Sequence, residues 1–329
     1  MRRIAFTVVE LLVAIAIIGL LIALLLPAIQ TSREAGRRNQ CANNLRQVSV
    51  ALLVFHDQLG EFPSGGWGHQ WVGVQDRGAR KKQPGGWIYS LLPYIEQDNL
   101  YRRGARSAGQ EDDSLLEQPL TVFTCPTRRP ARVWPVSEKY PYMSQLKPFG
   151  SAEYVGRGDY AINGGASKAQ SFKGPDNLEK GDSPTFAWPN PAGIAGQPET
   201  VFSGISHIRM ATQLRKLEDG SSVTYLVGEK YLDPLRYEDG DSLGDNESLY
   251  NGFCSDNHRF TELDLPPVAD GSLPLDDFRS HFRFGSAHPH GLNFAHCDGA
   301  VRFVSFQIEP ETHYLGGHVA DQGIVLQPQ

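Results

Sequence analysis

Residues 1–30 read MRRIAFTVVELLVAIAIIGLLIALLLPAIQ, and the class of the whole chain turns on this stretch. From Leu11 to Leu26 no side chain is polar, and the apolar run extends from Phe6 to Ile29 with Thr7 and Glu10 as its exceptions. A helix rises about 1.5 Å per residue, so roughly 20 such residues cross a bilayer core. A cleaved secretory signal would carry about 7–15 apolar residues before a small-x-small site. Here the run is longer, and Leu26-Pro27-Ala28 is a poor site. A plain anchor has no use for Glu10, because an ionisable group in the bilayer interior costs at least several kcal/mol unless paired. A segment that packs against copies of itself does have a use for it: the carboxylate can meet the terminal amine of a neighbour.

Downstream, Cys41, Leu45, Val48, Leu52 and Phe55 recur at steps of four and three residues, the stripe of one helix face. Gly60 is a plausible stop just beyond the last turn. The spacing predicts one nearly continuous helix over 6–59, about 80 Å long, with a solvated neck at 31–40 where the stripe lapses. From residue 63 onward the chain reads as strands and loops. Thr121–Cys125, Ser222–Gly228, Leu292–His296 and Ala300–Phe306 are rich in strand formers. The last two flank Cys297-Asp298-Gly299, and Asp-Gly between apolar alternations is a strong hairpin signal. With 34 glycines and 22 prolines the connections should be long and turn-rich, Gly150–Gly204 reading as a variable excursion. The expected fold is α+β: a long N-terminal helix, half membrane-embedded and half amphipathic, packed on a loop-rich antiparallel sheet domain. Its divisions are a leader (1–5), a transmembrane and assembly helix (6–30), an amphipathic continuation (31–60) and a β-rich domain (61–329) closing on a hairpin at 288–306.

The first segment resembles a type IV prepilin leader: a basic tip (Arg2, Arg3), then A-F-T-V-V-E-L-L-V-A-I-A-I-I-G. The resemblance implies cleavage between Ala5 and Phe6, N-methylation of the new terminus, an assembly role for Glu10 at the fifth mature position, and Pro27 as a helix-bending proline. Gly is usual before the cut, and Ala5 departs from that. Arginines on both sides of the span (Arg2, Arg3; Arg33, Arg37, Arg38) leave the charge bias undecided, so an inner-membrane, N-terminus-in topology with the domain periplasmic or extracellular follows from the resemblance.

Further segments resemble a large bacterial family of prepilin-like proteins with a domain of unknown function. They are C-A-N-N-L-R-Q (41–47), F-H-D-Q-L-G-E-F-P-S-G (55–65), G-W-I-Y-S-L-L-P-Y-I-E-Q-D-N-L-Y (86–101), F-T-C-P (123–126), D-Y-A-I-N-G-G (159–165), G-E-K-Y-L (228–232), G-D-N-E-S-L-Y (244–250) and D-N-H-R (256–259). The series ends on an H-x(9)-D-G signature, His288 followed after nine residues by Asp298-Gly299. Members are described as prepilin-type processing-associated, sometimes as solute-binding-like; the partners implied are a prepilin peptidase/methylase, other pilin-like subunits and the lipid bilayer.

A net charge of -6 gives no electrostatic footprint for nucleic acid. The four cysteines, Cys41, Cys125, Cys254 and Cys297, form no C-x-x-C pair. In an oxidising compartment they allow one or two disulfides in three connectivities. His281, His288, His290 and His296 with Asp298 offer ligands for a metal or groups for acid–base work, but their spacing fits no compact motif, and a turn explains Asp298 and Gly299. Asp239, Asp241, Asp245 and Glu247 form an acidic, glycine-punctuated loop of the kind that holds calcium, though without an EF-hand pattern. Arg157-Gly158-Asp159 reads as a chance adhesion tripeptide, and Trp67, Trp71, Trp87 and Tyr94 read as core before they read as a sugar platform. No G-x-S-x-G, phosphate loop or H-E-x-x-H occurs, so no enzyme is expected and, calcium aside, no cofactor. Two functions remain open: a pilin-like or pseudopilin-like subunit of a filament or secretion apparatus, and a surface-anchored binding module for a glycan, solute or metal.

Overall fold

The computed structural model describes residues 7–106, 113–137, 145–147, 150–166, 172–189, 203–275 and 277–319. Helix α1 runs without interruption from Val8 to Leu59, about 78 Å at the usual rise. Thr7 and Glu10 start it with a reciprocal capping box: the Thr7 hydroxyl accepts from the Glu10 N–H at 3.2 Å, and Glu10 Oε2 accepts from the Thr7 N–H at 2.8 Å. Pro27 lies inside the helix, where its ring leaves one carbonyl without its usual N–H donor. Gly60 ends it in the left-handed region at φ 78°, donating its N–H to the His56 carbonyl.

The two halves of α1 have different surroundings. Between Val8 and Ile29 almost every side chain is exposed, and the helix is long and apolar enough to cross a membrane. From Cys41 to Phe55 the predicted stripe is fully buried, joined by Asn44, Ser49 and Ala51. Burying each of Leu45, Val48, Leu52 and Phe55 contributes about 1.5–3 kcal/mol, which ties the C-terminal half to the domain.

That half lies on a five-stranded sheet made of β1 (Tyr160–Asn163), β2 (Tyr225–Glu229), β3 (His258–Arg259), β4 (Gly291–His296) and β5 (Val301–Ser305), in the spatial order β5-β4-β2-β1-β3. All pairings are antiparallel except β1–β3, which is parallel. Registers Tyr160↔Glu229, Ile162↔Val227, Ala295↔Val227 and Asn293↔Phe303 place these side chains on the face toward α1. The other face carries Ala161, Leu292 and Phe294, packed with Tyr225, Phe284 and His313 of the C-terminal helix Pro310–Gly316.

The structure revises three local expectations. Thr121–Cys125 is not a strand: Thr121–Phe123 forms a 3-10 turn, bounded by Pro119 and Pro126 and anchored by the Asp159 N–H on the Phe123 carbonyl at 2.8 Å. Gly150–Gly204 is not merely an excursion, since it contains β1 and the Tyr154–Gly156 strand that pairs with Val133–Pro135. The neck at 31–40 is not wholly solvated: Glu34 and Arg37 are half-buried against Thr127, and the Arg38 guanidinium lies 5.0 Å over the ring of Phe303. The arginines after the span are thus partly engaged with the domain. The Asp-Gly hairpin forms as the sequence predicts, with Gly299 at φ 83° and the Asp298 carboxylate accepting from the Ala300 N–H.

Candidate functional site

Where α1 crosses the sheet, four side chains from four separate parts of the chain converge in the core. Cys41 comes from the helix stripe, Cys125 from the chain just after the 3-10 turn, Glu229 from the last position of β2, and His288 from the loop before β4. One ligand atom from each lies within 4.8 Å of the others, and all four residues are buried. The Cys41 thiol donates to Cys125 Sγ at 3.2 Å, and Cys125 Sγ is 3.8 Å from His288 Nε2. Glu229 Oε1 lies 3.2 Å from the same Nε2, off the line a hydrogen bond requires, and has no hydrogen-bond partner.

The surroundings orient each donor. The Asn293 N–H holds Glu229 Oε2 at 2.7 Å, leaving Oε1 to face the cluster. His288 Nδ1 lies 2.5 Å from Glu34 Oε1, which aims Nε2 inward. The Cys125 N–H donates to Asp159 Oδ2 at 2.7 Å. Asn44, one turn beyond Cys41, donates to the Thr124 carbonyl at 3.1 Å and the Tyr160 hydroxyl at 3.3 Å.

The electrostatics are polarised. The hydrogen bond between the thiols pushes Cys41 up and Cys125 down, with His288 and the charge of Arg128 also favouring the Cys125 thiolate. Burial opposes charge on His288, but Cys125 and the Glu229 carboxylate 3.2 Å from Nε2 outweigh it and raise the imidazole to about 10. Burial likewise opposes ionisation of Glu34, and His288 and Arg37 overcome it, so its pKa is lowered. Two thiols, an imidazole and a carboxylate in a buried cluster can coordinate a soft or borderline cation, or the thiols can oxidise.

The other residues singled out from the sequence go elsewhere. Ala5 and Phe6 lie outside the described residues. Instead of disulfides the structure holds four free, buried thiols; Cys254 sits with Glu247 and Asp256, and Cys297 Sγ is 3.9 Å from the Tyr225 carbonyl. The acidic loop does not gather into one oxygen cage. Asp239 and Asp241 pair with Arg236, Asp245 with Arg129 and Lys230 in the core, and Glu247 accepts from Asn251 beside Asp256. The histidine group does not assemble either: His281 packs on Phe278 and Phe282, His290 is exposed at φ 70°, and His296 meets Tyr225 edge-on. Asp298 pairs with Arg302 and serves the turn. Arg157 and Asp159 of the adhesion-like tripeptide are buried, as are Trp67, Trp71 and Trp87, while Tyr94 packs on Phe55. Glu34 and Glu229 were not foreseen as site residues. Glu34 stands seven residues before Cys41, two turns along the same face, which is the signal that could have found it.

Beside the cluster lies a buried ion network that draws together the scattered motifs. Arg129 pairs with Asp159 at 2.7 Å and with Asp245, Arg128 pairs with Asp270 at 2.7 Å, and Lys230 donates to Asp245 and to the Asp256 carbonyl, both at 2.9 Å. D-Y-A-I-N-G-G, G-E-K-Y-L, G-D-N-E-S-L-Y and D-N-H-R each contribute to it. The model of the protein family of unknown function DUF1559 matches residues 30–311, covering this network and all four cluster residues. The chain belongs to the DUF1559 family. No curated protein and no solved structure matches the chain. The DUF1559 match begins where the apolar half of α1 ends, so the family region is the domain with its buried helix stripe and the neck.

Proposed function

We propose that this DUF1559 chain is a non-enzymatic, pilin-like or pseudopilin-like subunit, held in the inner membrane by the first half of α1 and presenting its domain on the periplasmic or extracellular side. The observation that carries the reading is the division of one continuous helix: Val8–Ile29 is uncovered and apolar, and Cys41–Phe55 is locked into the domain. A helix that is exposed over its first six turns needs an apolar environment, which lipid supplies in storage and neighbouring helices supply in a filament. Because α1 is rigidly fused to the sheet, moving the apolar half moves the domain with it.

Glu10 has a local role as the capping partner of Thr7 and, in the proposed assembly, a second role as acceptor for the amine of a neighbouring Phe6. Glu10→Gln separates the two, since glutamine also completes a capping box but carries no charge. The variant is expected to insert into the membrane like the wild type and to enter filaments or secretion assemblies several-fold less well. Equal incorporation would reduce Glu10 to a cap. The mass of the mature N-terminus tests processing directly: a chain beginning at a methylated Phe6 supports the reading, and one beginning at Met1 or beyond Pro27 removes it.

A further inference from the structure

The geometry points to Cys41, Cys125, Glu229 and His288 as a structural transition-metal site, suited to Zn²⁺, that fastens the anchor helix to the domain. This goes beyond the subunit reading and stands whether or not the chain enters a filament.

Zinc in structural sites takes four ligands at about 2.0–2.3 Å in a tetrahedron, so its ligand atoms sit about 3.3–3.8 Å apart. The neighbouring donors here are separated by 3.2 Å (Sγ–Sγ), 3.8 Å (Sγ–Nε2) and 3.2 Å (Nε2–Oε1). Small side-chain shifts bring that set around one ion. The donors are two sulfurs, one imidazole nitrogen and one carboxylate oxygen, a mixture that favours zinc over calcium or magnesium, which prefer all-oxygen shells.

Two features point to a ligand and not merely to a polar core. Glu229 is 0% exposed, and its inward oxygen makes no hydrogen bond, facing His288 Nε2 at 3.2 Å out of line; that is a costly arrangement for a buried carboxylate, and a coordinated ion would relieve it. His288 is oriented as a metal-bound imidazole usually is, with its outer nitrogen on a carboxylate, Glu34, and its inner nitrogen facing Cys125 Sγ and Glu229 Oε1, where an ion between them would replace its proton. A disulfide between Cys41 and Cys125 would use the sulfurs and leave Glu229 Oε1 still without a hydrogen bond.

Binding would release the protons held by the two thiols and by Nε2 where it is protonated, and no electrons are transferred. Two thiolates and a carboxylate around a divalent ion leave one net negative charge, close to the buried Arg128–Asp270 pair whose guanidinium already favours the Cys125 thiolate. Four protein ligands leave no open position, so the site holds structure and does not activate water. The ligands span α1, the post-turn segment, β2 and the loop before β4, so one ion would cross-link the neck to the sheet at the point where force on the anchor enters the domain.

The test is to purify the full chain in mild detergent under anaerobic conditions without chelators, measure its metal, and only then block the thiols of a denatured portion to read their state. About one zinc per chain is expected, with Cys41 and Cys125 recovered as unlinked thiols. Cys297→Ser, outside the cluster, should keep the metal, and Cys41→Ser and His288→Gln should each lower occupancy at least tenfold. Because either of these could fail to fold, the wild-type chain exchanged into Co²⁺ gives a second readout: a thiolate charge-transfer band and intense visible absorption of a tetrahedral site. A Cys41–Cys125 disulfide in protein from native membranes overturns the proposal. So does a folded chain with reduced thiols that takes up neither zinc nor cobalt, which would make the cluster a buried ion pair only.

Discussion

His288 Nδ1 meets Glu34 Oε1 at 2.5 Å across 254 positions of sequence. The first residue of the H-x(9)-D-G segment thus grips the anchor helix in its neck, two turns before the helix becomes buried. Thr127 adds its hydroxyl to the same carboxylate at 3.2 Å. Removing the carboxylate by Glu34→Ala should cost about 1–2 kcal/mol, within the range for hydrogen bonds to charged groups and reduced for the part of Glu34 that water reaches. Denaturant unfolding of the full chain in detergent measures the loss, and amide exchange over residues 30–40 should accelerate. Unchanged exchange would show that the neck does not depend on this contact.

The two halves of α1 should respond oppositely to truncation. Phe55 is fully buried and packs edge-on against Tyr94 at 5.3 Å. Phe55→Ala is expected to destabilise the domain by about 3–5 kcal/mol. Val13→Ala, on the uncovered half, should leave domain unfolding within about 0.5 kcal/mol of wild type. Comparable losses at both positions would mean that the apolar half also packs on the domain.

The hairpin turn of the signature is predicted to be a matter of stability alone. Gly299 sits at φ 83°, and a Cβ there would lie 3.0 Å from Leu53 Cδ1 of α1. Gly299→Ala should cost at least about 1–2 kcal/mol, the usual penalty of left-handed backbone for a residue with Cβ. Asp298→Ala, which loses the Ala300 N–H and the Arg302 pair, should cost about 1 kcal/mol. Calorimetry of the two variants checks both values. A folded Asp298→Ala chain that loses a function without losing stability would place chemistry in the turn after all.

The domain should be acid-labile in two stages. His313 is fully buried among Tyr225, Phe284 and Phe294, and burial lowers its pKa from 6.5 to about 3. A lowered folded-state pKa means that below pH 6.5 the unfolded chain takes up a proton that the folded chain refuses, so stability falls between pH 6.5 and 3. Burial opposes ionisation of Asp245, but Arg129 and Lys230 outweigh it and depress its pKa. That contribution is complete above the ordinary aspartate value of 3.8 and is lost as pH falls below it. His313→Leu should flatten the decline between pH 7 and 5 in thermal melts; an unaltered slope would assign the lability to other groups.

Which features were legible from the sequence follows from the range of the forces behind them. The Cys41–Phe55 stripe and the Asp298-Gly299 hairpin are short-range patterns, set by helix and strand periodicity and by one turn, and the structure keeps both. Thr121–Cys125 has strand formers, yet Thr121–Phe123 packs against α1 as a 3-10 turn, a tertiary placement that β-propensity does not carry. The cysteines and histidines showed the right chemistry in the wrong company. Cys41 and Cys125 are 84 residues apart, and Cys125 and His288 are 163 apart. No local spacing encodes such a meeting, and nearby His281, His290 and His296 were the more visible partners.

By itself, the sequence determined that the chain has an apolar helix long enough to span a bilayer, an amphipathic continuation and a closing hairpin, because each rests on contacts within a few residues. Tertiary structure alone decided that Glu34 and Glu229 join His288 and the two thiols, and that the acidic loop is divided between two arginines and a lysine. Those outcomes depend on how α1 lies across the order β5-β4-β2-β1-β3. That placement comes from burying one helix face on one sheet face, a non-directional force that brings distant side chains together without any mark in the local sequence.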